Sequence, residues 1–326
     1  MPKPKLPSKQ ATQILEQVIP KRPEGTRGIS YSQYSVFKEC PLRWDLTYRQ
    51  GNYMPTPSIH TTFGTAIHAC IQEWLTLLYT STIKASEGYD FESNLERYMI
   101  ETYKKEKENN NNTHYSNEKE LQEFFEDGVA ILKYLRRNRS KIFDVKWQEL
   151  VAHELQLNTP VFLENLNIYF NAFLDTVFLV KILGNSADDI RYTVLVLDWK
   201  SSTKGWGDWD LKSDKKLNQV RLYKHYFAQQ FGWPMESIDV EFKVLKRKVN
   251  TFQLDSGYDM ETPRLQTVIP TQGKSKIKAA VDDLQSFVKT CYNEDGTHAE
   301  GYYQANPGNA CKFCPFRNTE MCENWM

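Results

Sequence analysis

The 326 residues carry 41 Lys and Arg against 41 Asp and Glu, so the formal net charge is zero and charge alone names no partner. Hydrophobic residues make up 40% of the chain and aromatic ones 13%, enough for a sizeable core, which excludes a wholly disordered polypeptide. The longest apolar runs fall far short of the ~20 residues of a membrane helix, and MPKPKLPSKQ has no apolar signal core. The expectation is therefore an intracellular, cytoplasmic protein with reduced thiols and no membrane partner.

Residues 1–28 read as a basic, mobile arm: Lys3, Lys5, Lys9, Lys21, Arg22 and Arg27 oppose Glu16 and Glu24, and prolines interrupt the segment. A helix is predicted after Thr61 and Thr62, where Ile67, Ile71, Trp74, Leu75 and Leu78 recur at spacings of three and four, with His68 on the same face. Residues 104–120, with consecutive asparagines Asn109 to Asn112, have no periodicity and read as a polar loop or insertion. Strand rhythm follows at about 150–157, 167–180 and 190–200, which predicts an antiparallel meander. Residues 215–231 read as helix, 237–249 as strand and 274–291 as helix, before a cysteine-rich tail.

Asp198-Trp199-Lys200 closes the apolar run Thr193 to Leu197, and the period of two puts Asp198 and Lys200 on one face. Phosphodiester hydrolysis uses such a pair: a carboxylate to hold a divalent cation, and an ammonium to orient or deprotonate water and offset developing charge. Asp214-Lys215-Lys216 and Glu241-Phe242-Lys243 share the acid-x-Lys pattern, and a surface ion pair explains any of them equally well. Context favours the first, because Asp175 ends an apolar run on the preceding strand, and strands ~4.8 Å apart let Asp175 and Asp198 ligate one metal. Gln219 and Tyr223, four apart, share a helix face. His68 offers an imidazole to the same ion, which would favour Mn²⁺ somewhat over Mg²⁺. Glu154 is either a further acid near the metal or a solvated strand residue. The basic residues Lys212, Lys215, Lys216, Arg221, Lys224, Lys243, Lys246, Arg247 and Lys248 are either phosphate contacts or solvated faces.

Cys311, Cys314 and Cys322 form a tight group suited to a soft metal or an iron–sulfur cluster, whereas Cys70 and Cys291 read as packed thiols. Spacing does not separate [4Fe–4S] from Zn²⁺.

The ordered set Gly64-Thr65-Ala66-Ile67-His68, Asp175, Asp198-Trp199-Lys200 and Gln219-Val220-Arg221-Leu222-Tyr223 resembles the RecB-like branch of the PD-(D/E)XK nucleases, which includes the AddB nuclease domain and the CRISPR adaptation nucleases. Ala172 departs from the family pattern, which has Gly three residues before the Asp. The resemblance implies an α/β (α+β) fold: a restriction-endonuclease-like core with a central mixed sheet flanked by helices, a helical insertion and a cysteine-rich C-terminal staple. It implies an arm over 1–28, a nuclease domain over 29–292 and, over 293–326, a cluster-binding tail packed on the N-terminal part. It also implies His68, Asp175, Asp198 and the Trp199 carbonyl as ligands of Mg²⁺ or Mn²⁺, Lys200 acting on the water, and Gln219 and Tyr223 steadying the site and contacting DNA. In iron–sulfur members of the branch one early cysteine joins three late ones, which makes Cys40 the partner of Cys311, Cys314 and Cys322 around a [4Fe–4S] cluster, with Zn²⁺ the alternative. The implied activity is a DNA exonuclease of recombination, repair or replication. Its substrate would be DNA with free ends or single strands, and its partner a separate helicase or recombination protein. The alternatives are a structure-specific endonuclease and a non-catalytic binding or assembly protein.

Overall fold

The computed structural model describes residues 8–17, 22–54, 56–164, 167–184, 190–253 and 259–322. Its strands are β1 (Arg27–Ile29), β2 (Gln148–Pro160), β3 (Ile168–Leu183), β4 (Ile190–Ser202), β5 (Ile238–Lys246), β6 (Thr251–Gln253), β7 (Asp259–Glu261) and β8 (Leu265–Val268). Six of them form one mixed sheet in the order β1-β3-β4-β5-β8, with β2 also paired to β3, while β6 and β7 make a separate hairpin. The expected meander is present, since β2 with β3 and β3 with β4 are antiparallel. β4 and β5 are parallel, a pairing that needs a crossover.

The longer helices are α1 (Lys9–Leu15), α2 (Tyr31–Glu39), α3 (Ile59–Thr80), α4 (Phe91–Asn109), α5 (Glu118–Arg137), α6 (Asp214–Phe231) and α7 (Lys274–Cys291), with α6 making the β4–β5 crossover. Both sheet faces are covered, which explains why β4 is a continuous apolar run rather than an alternating one. Val194 and Val196 join the core beneath α6 and α7, with Val220, Phe227, Leu284 and Phe287. Leu197 and Trp199 join a second core beneath α3, α4 and α5, with Phe63, Ile71, Trp74 and Leu132.

Two expectations are corrected. The segment 1–28 is not simply a mobile arm: Ser8 caps α1, Ala11 and Ile14 are fully buried, and β1 pairs in parallel with β3. Ala11 and Ile14 lie three apart on one helix face, a short apolar signal masked by the surrounding prolines and charges. Residues 1–7 and 18–21 lie outside the described residues. The polar stretch 104–120 is loop only over 110–117; Lys104 to Asn109 complete α4, whose buried Leu95 and Met99 leave these residues on outer turns. Asn111 and Asn112 adopt φ of 52° and 58°, a left-handed region that Asn tolerates, and so turn the chain into α5.

Gly128 lets α5 approach its neighbours. A Cβ there would stand 2.6 Å from Leu95 Cδ2 and 2.9 Å from Phe63 Cε2, both on fully buried side chains. Gly128→Val should therefore destabilise the protein by about 1–3 kcal/mol through overpacking, read from urea denaturation midpoints at unchanged slope.

Candidate active site

β3 and β4 pair as far as Thr176 with Leu197, after which β4 continues along β5 alone as far as Ser202 with Lys246. The sheet opens at this point, and Asp175 fills the opening. Its Oδ2 accepts the Trp199 N–H at 2.7 Å, satisfying a backbone donor that has lost its strand partner. The Trp199 indole N–H donates to Thr176 Oγ1 at 3.2 Å, so the residue between Asp198 and Lys200 is anchored twice to β3.

Asp198 is 1% exposed. Its Oδ1 accepts from Gln219 Nε2 at 3.0 Å, and the same amide donates to Tyr223 Oη at 2.7 Å. Lys200 Nζ pairs with Asp198 Oδ2 at 2.5 Å. On α3, His68 Nδ1 is 3.8 Å from Asp175 Oδ2, and the ring also meets the Trp199 carbonyl. The site residues expected on α3, β3, β4 and α6 are thus brought together. A methyl group at Gly64 would find Ser201 Oγ at 3.9 Å, so packing alone does not require that glycine.

Burial, with the Glu154 charge adding to it and Lys200 opposing it, raises the Asp175 carboxyl to about 6. Burial, opposed by Lys200 and reinforced by Asp175, raises Asp198 to about 6 as well. His68 is lowered to about 4 by burial and then by Lys200, leaving a neutral imidazole with a lone pair at pH 7. Burial pulls Lys200 down, but Asp198 and Asp175 outweigh it and the ammonium is held above its ordinary value. The buried Asp198 and the partly buried Asp175, beside a neutral imidazole and a carbonyl, carry two negative charges against the single positive charge of Lys200. This donor set fits Mg²⁺ or Mn²⁺. Among the described residues no three His, Cys, Asp or Glu side chains converge on a single-ion site. Two carboxylates nonetheless suffice for Mg²⁺, which keeps several waters.

The rival acid-x-Lys pairs stand elsewhere. Glu241 and Lys243 are in register with Leu197 and Trp199, on the opposite sheet face from Asp198, and pair with each other at 2.7 Å. Asp214 opens α6 and binds the buried Arg221 at 2.6 Å. Most of the basic residues weighed as phosphate contacts are engaged in ion pairs: Lys215 with Glu39, Lys216 with Asp210, and Arg247 and Lys248 with Asp127 and Glu123. Sequence reasoning missed Gln72, one turn beyond His68 on α3, which donates to Glu154 Oε1 at 2.6 Å. The four-residue spacing from His68 was the available signal. Glu154 itself has φ of 50°, the left-handed region, between the pairs His153 with Thr176 and Leu155 with Leu174, which places it opposite Asp175.

At the far end of α2, Cys40, Cys311, Cys314 and Cys322 line one small cavity together with Leu42, Leu46 and Phe316. The Asn306 N–H points at Cys40 Sγ and the Gly308 N–H at Cys311 Sγ, each at 3.4 Å, and Asn306 Nδ2 donates to the Glu39 carbonyl at 2.9 Å. Cys70 and Cys291 are fully buried elsewhere, and burial pushes both thiols up, Cys70 to about 12.

A mixed sheet that opens over a buried acid, a partly buried one and a lysine is the framework of a metal-dependent nuclease. The family model of the PD-(D/E)XK nuclease superfamily matches residues 28–322, and the chain belongs to that superfamily. Such nucleases generally use Mg²⁺ or Mn²⁺. Nothing among curated proteins matches the sequence. No helix among the described residues is long and apolar enough to cross a membrane.

The raised acids make stability depend on pH in a defined direction. An Asp titrating at about 6 when folded, against 3.8 in the unfolded chain, favours folding below about pH 4, and that contribution is lost as pH rises through 6. Metal-free Asp198→Asn protein should accordingly be more stable than the parent above pH 6, by on the order of 3 kcal/mol, with most of that gain gone at pH 4. Thermal melts in EDTA at the two pH values check this.

Proposed function

We propose that the chain is a Mg²⁺- or Mn²⁺-dependent DNA exonuclease whose reaction centre is Asp175, Asp198 and Lys200. The observation that carries this reading is the buried Asp198 carboxylate, held by Gln219 on one oxygen and facing Lys200 with the other. Asp175, Asp198, His68 and the Trp199 carbonyl would hold the ion, which when bound supplies Lewis acidity and neutralises charge on the phosphoryl oxygens. Lys200 keeps its proton at neutral pH, so it serves by orienting the attacking water and by setting positive charge against the phosphorane-like transition state, rather than as a base. Gln219 fixes the Asp198 rotamer, and Tyr223 fixes Gln219. Preference for DNA ends rests on the resemblance to the RecB-like branch. So do a role in recombination or repair and a separate helicase or recombination protein as partner. Gly273-Lys274-Ser275 does not offer an ATP loop, since Val268 stands where its first glycine belongs.

Asp198→Ala or Lys200→Ala should lower cleavage by about 10²–10³-fold while DNA binding persists, whereas Glu241→Gln should cleave normally. The assay is end-labelled linear against covalently closed circular DNA, with Mg²⁺, Mn²⁺ or EDTA. Equal cleavage of the closed circle would replace the exonuclease reading by an endonuclease one, and DNA binding without metal-dependent cleavage of either form would favour a non-catalytic protein.

The four cysteines are proposed to hold a [4Fe–4S] cluster, with Zn²⁺ the alternative. Support comes from their common cavity and from backbone N–H groups aimed at two of the sulfurs, the contacts that tune such clusters. The cluster's role would be structural, closing the chain from Cys40 to the tail. Cys40→Ser should lose most of the bound metal and melt at lower temperature, while Cys70→Ser keeps its metal. Iron, sulfide and zinc content of protein purified without oxygen decides between the cluster and the ion.

A further inference from the structure

β1 pairs with β3 only from Ile168 to Phe170, and β4 pairs with it only from Thr176 onward. Because β2 covers the other edge of β3 along this stretch, residues 171–175 have one edge that no strand among the described residues covers. A hollow of about 390 Å³ lies at this gap, within the range of small-ligand sites, and its wall includes Gln219, which holds Asp198 of the reaction centre, and Tyr223.

The chemistry of the hollow differs from that of the acid site beside it. Phe173 reaches it with 52% of its surface exposed, two residues before Asp175. The rest of the wall is rich in uncharged polar groups, namely Ser30, Ser32, Gln33 and Asn171, and among the described residues no Asp or Glu lines it. Arg22 completes it, its guanidinium lying over Gly28, where an added Cβ would stand 2.1 Å from Nη1. Among the described residues no carboxylate pairs with Arg22. An isolated exposed Phe needs no explanation. One set among amide and hydroxyl groups, with a free guanidinium at the rim and a nuclease centre at the wall, matches the parts of a nucleotide: a π face, hydrogen-bonding base edges and an anionic phosphate.

Resting on the nuclease reading, we infer that this hollow takes one unstacked nucleotide of a single strand adjoining the cleaved phosphate, its base against Phe173 and its phosphate toward Arg22. A base inside a duplex keeps its neighbours and cannot enter, so the pocket selects single-stranded substrate. Stacking on an aromatic side chain is tolerant of sequence, which suits an enzyme that must step along any strand.

The test is fluorescence anisotropy in EDTA with labelled oligo-dT of about twelve nucleotides and a blunt duplex. Phe173→Ala should weaken oligo-dT binding about tenfold and leave the duplex unaffected, and Phe173→Trp should restore it. Arg22→Ala should reduce the slope of log affinity against log salt by about 1. Unchanged oligo-dT binding by Phe173→Ala, or equal loss for both ligands, overturns the pocket. If the parent protein cleaves linear DNA while Phe173→Ala binds oligo-dT normally, the pocket alone fails. If the parent neither binds nor cleaves DNA, the nuclease reading fails and the pocket falls with it.

Discussion

The divergence of β4 from β3 is the constraint on which the site depends. A strand that leaves its neighbour exposes backbone donors, and a buried orphan N–H costs as much as a lost hydrogen bond. Here the Trp199 N–H is satisfied by Asp175, so the acid is held in the gap by the fold itself. Asp198 and Lys200, paired in register with β5, project from the sheet on the face that carries α6, and the divergence leaves their β3 edge open. Trp199, between them, points the other way into the second core and locks the register of both.

Charge balance follows from that packing. Asp175, Asp198 and Lys200 carry two negative charges against one positive, in a space where burial disfavours both carboxylates. Lys200 neutralises part of the excess, and the remainder calls for a second cation. Glu241 and Lys243 make the contrast: one acid, one base and a 2.7 Å contact on the other face leave no surplus charge, and the pair reads as structural. The difference between the two acid-x-Lys pairs lies in Asp175, not in the pairs themselves.

Most of this was legible in the sequence because the signals were local and periodic. The strands β2 to β5 and the helix carrying His68 lie where the apolar rhythm put them, and the ordered set ending in Gln219 and Tyr223, singled out by the family resemblance, lies on these elements and on α6. What was not legible depended on tertiary context. Ala11 and Ile14 offered too short a pattern to outweigh the prolines around them, and Lys104 to Asn109 are helical because α4 already had a buried face to extend. The basic residues looked available for phosphates because sequence does not show partners; the structure gives Arg221 to Asp214 and Arg247 to Asp127. Gln72 and Glu154 meet only because α3 crosses the sheet beside β2.

α2 links the cysteine cavity to the gap in the sheet. Its first residues, from the cap Ser30 to Gln33, line the hollow beside β3, and its last turn ends at Cys40. Nine residues of helix span about 13 Å, and the helix is held along its length. Tyr31 donates to the Lys215 carbonyl on α6, Tyr34 donates to Asp283 of α7 at 2.5 Å, and Lys38 pairs with Asp283 at 3.0 Å. A group held by the four cysteines, as proposed above, would fix α2 at its Cys40 end, and the contacts along the helix would carry that constraint to the wall of the hollow. Lys215, paired with Glu39 beside Cys40, closes the connection from the cysteine end of α2 back to α6, the helix that carries Gln219.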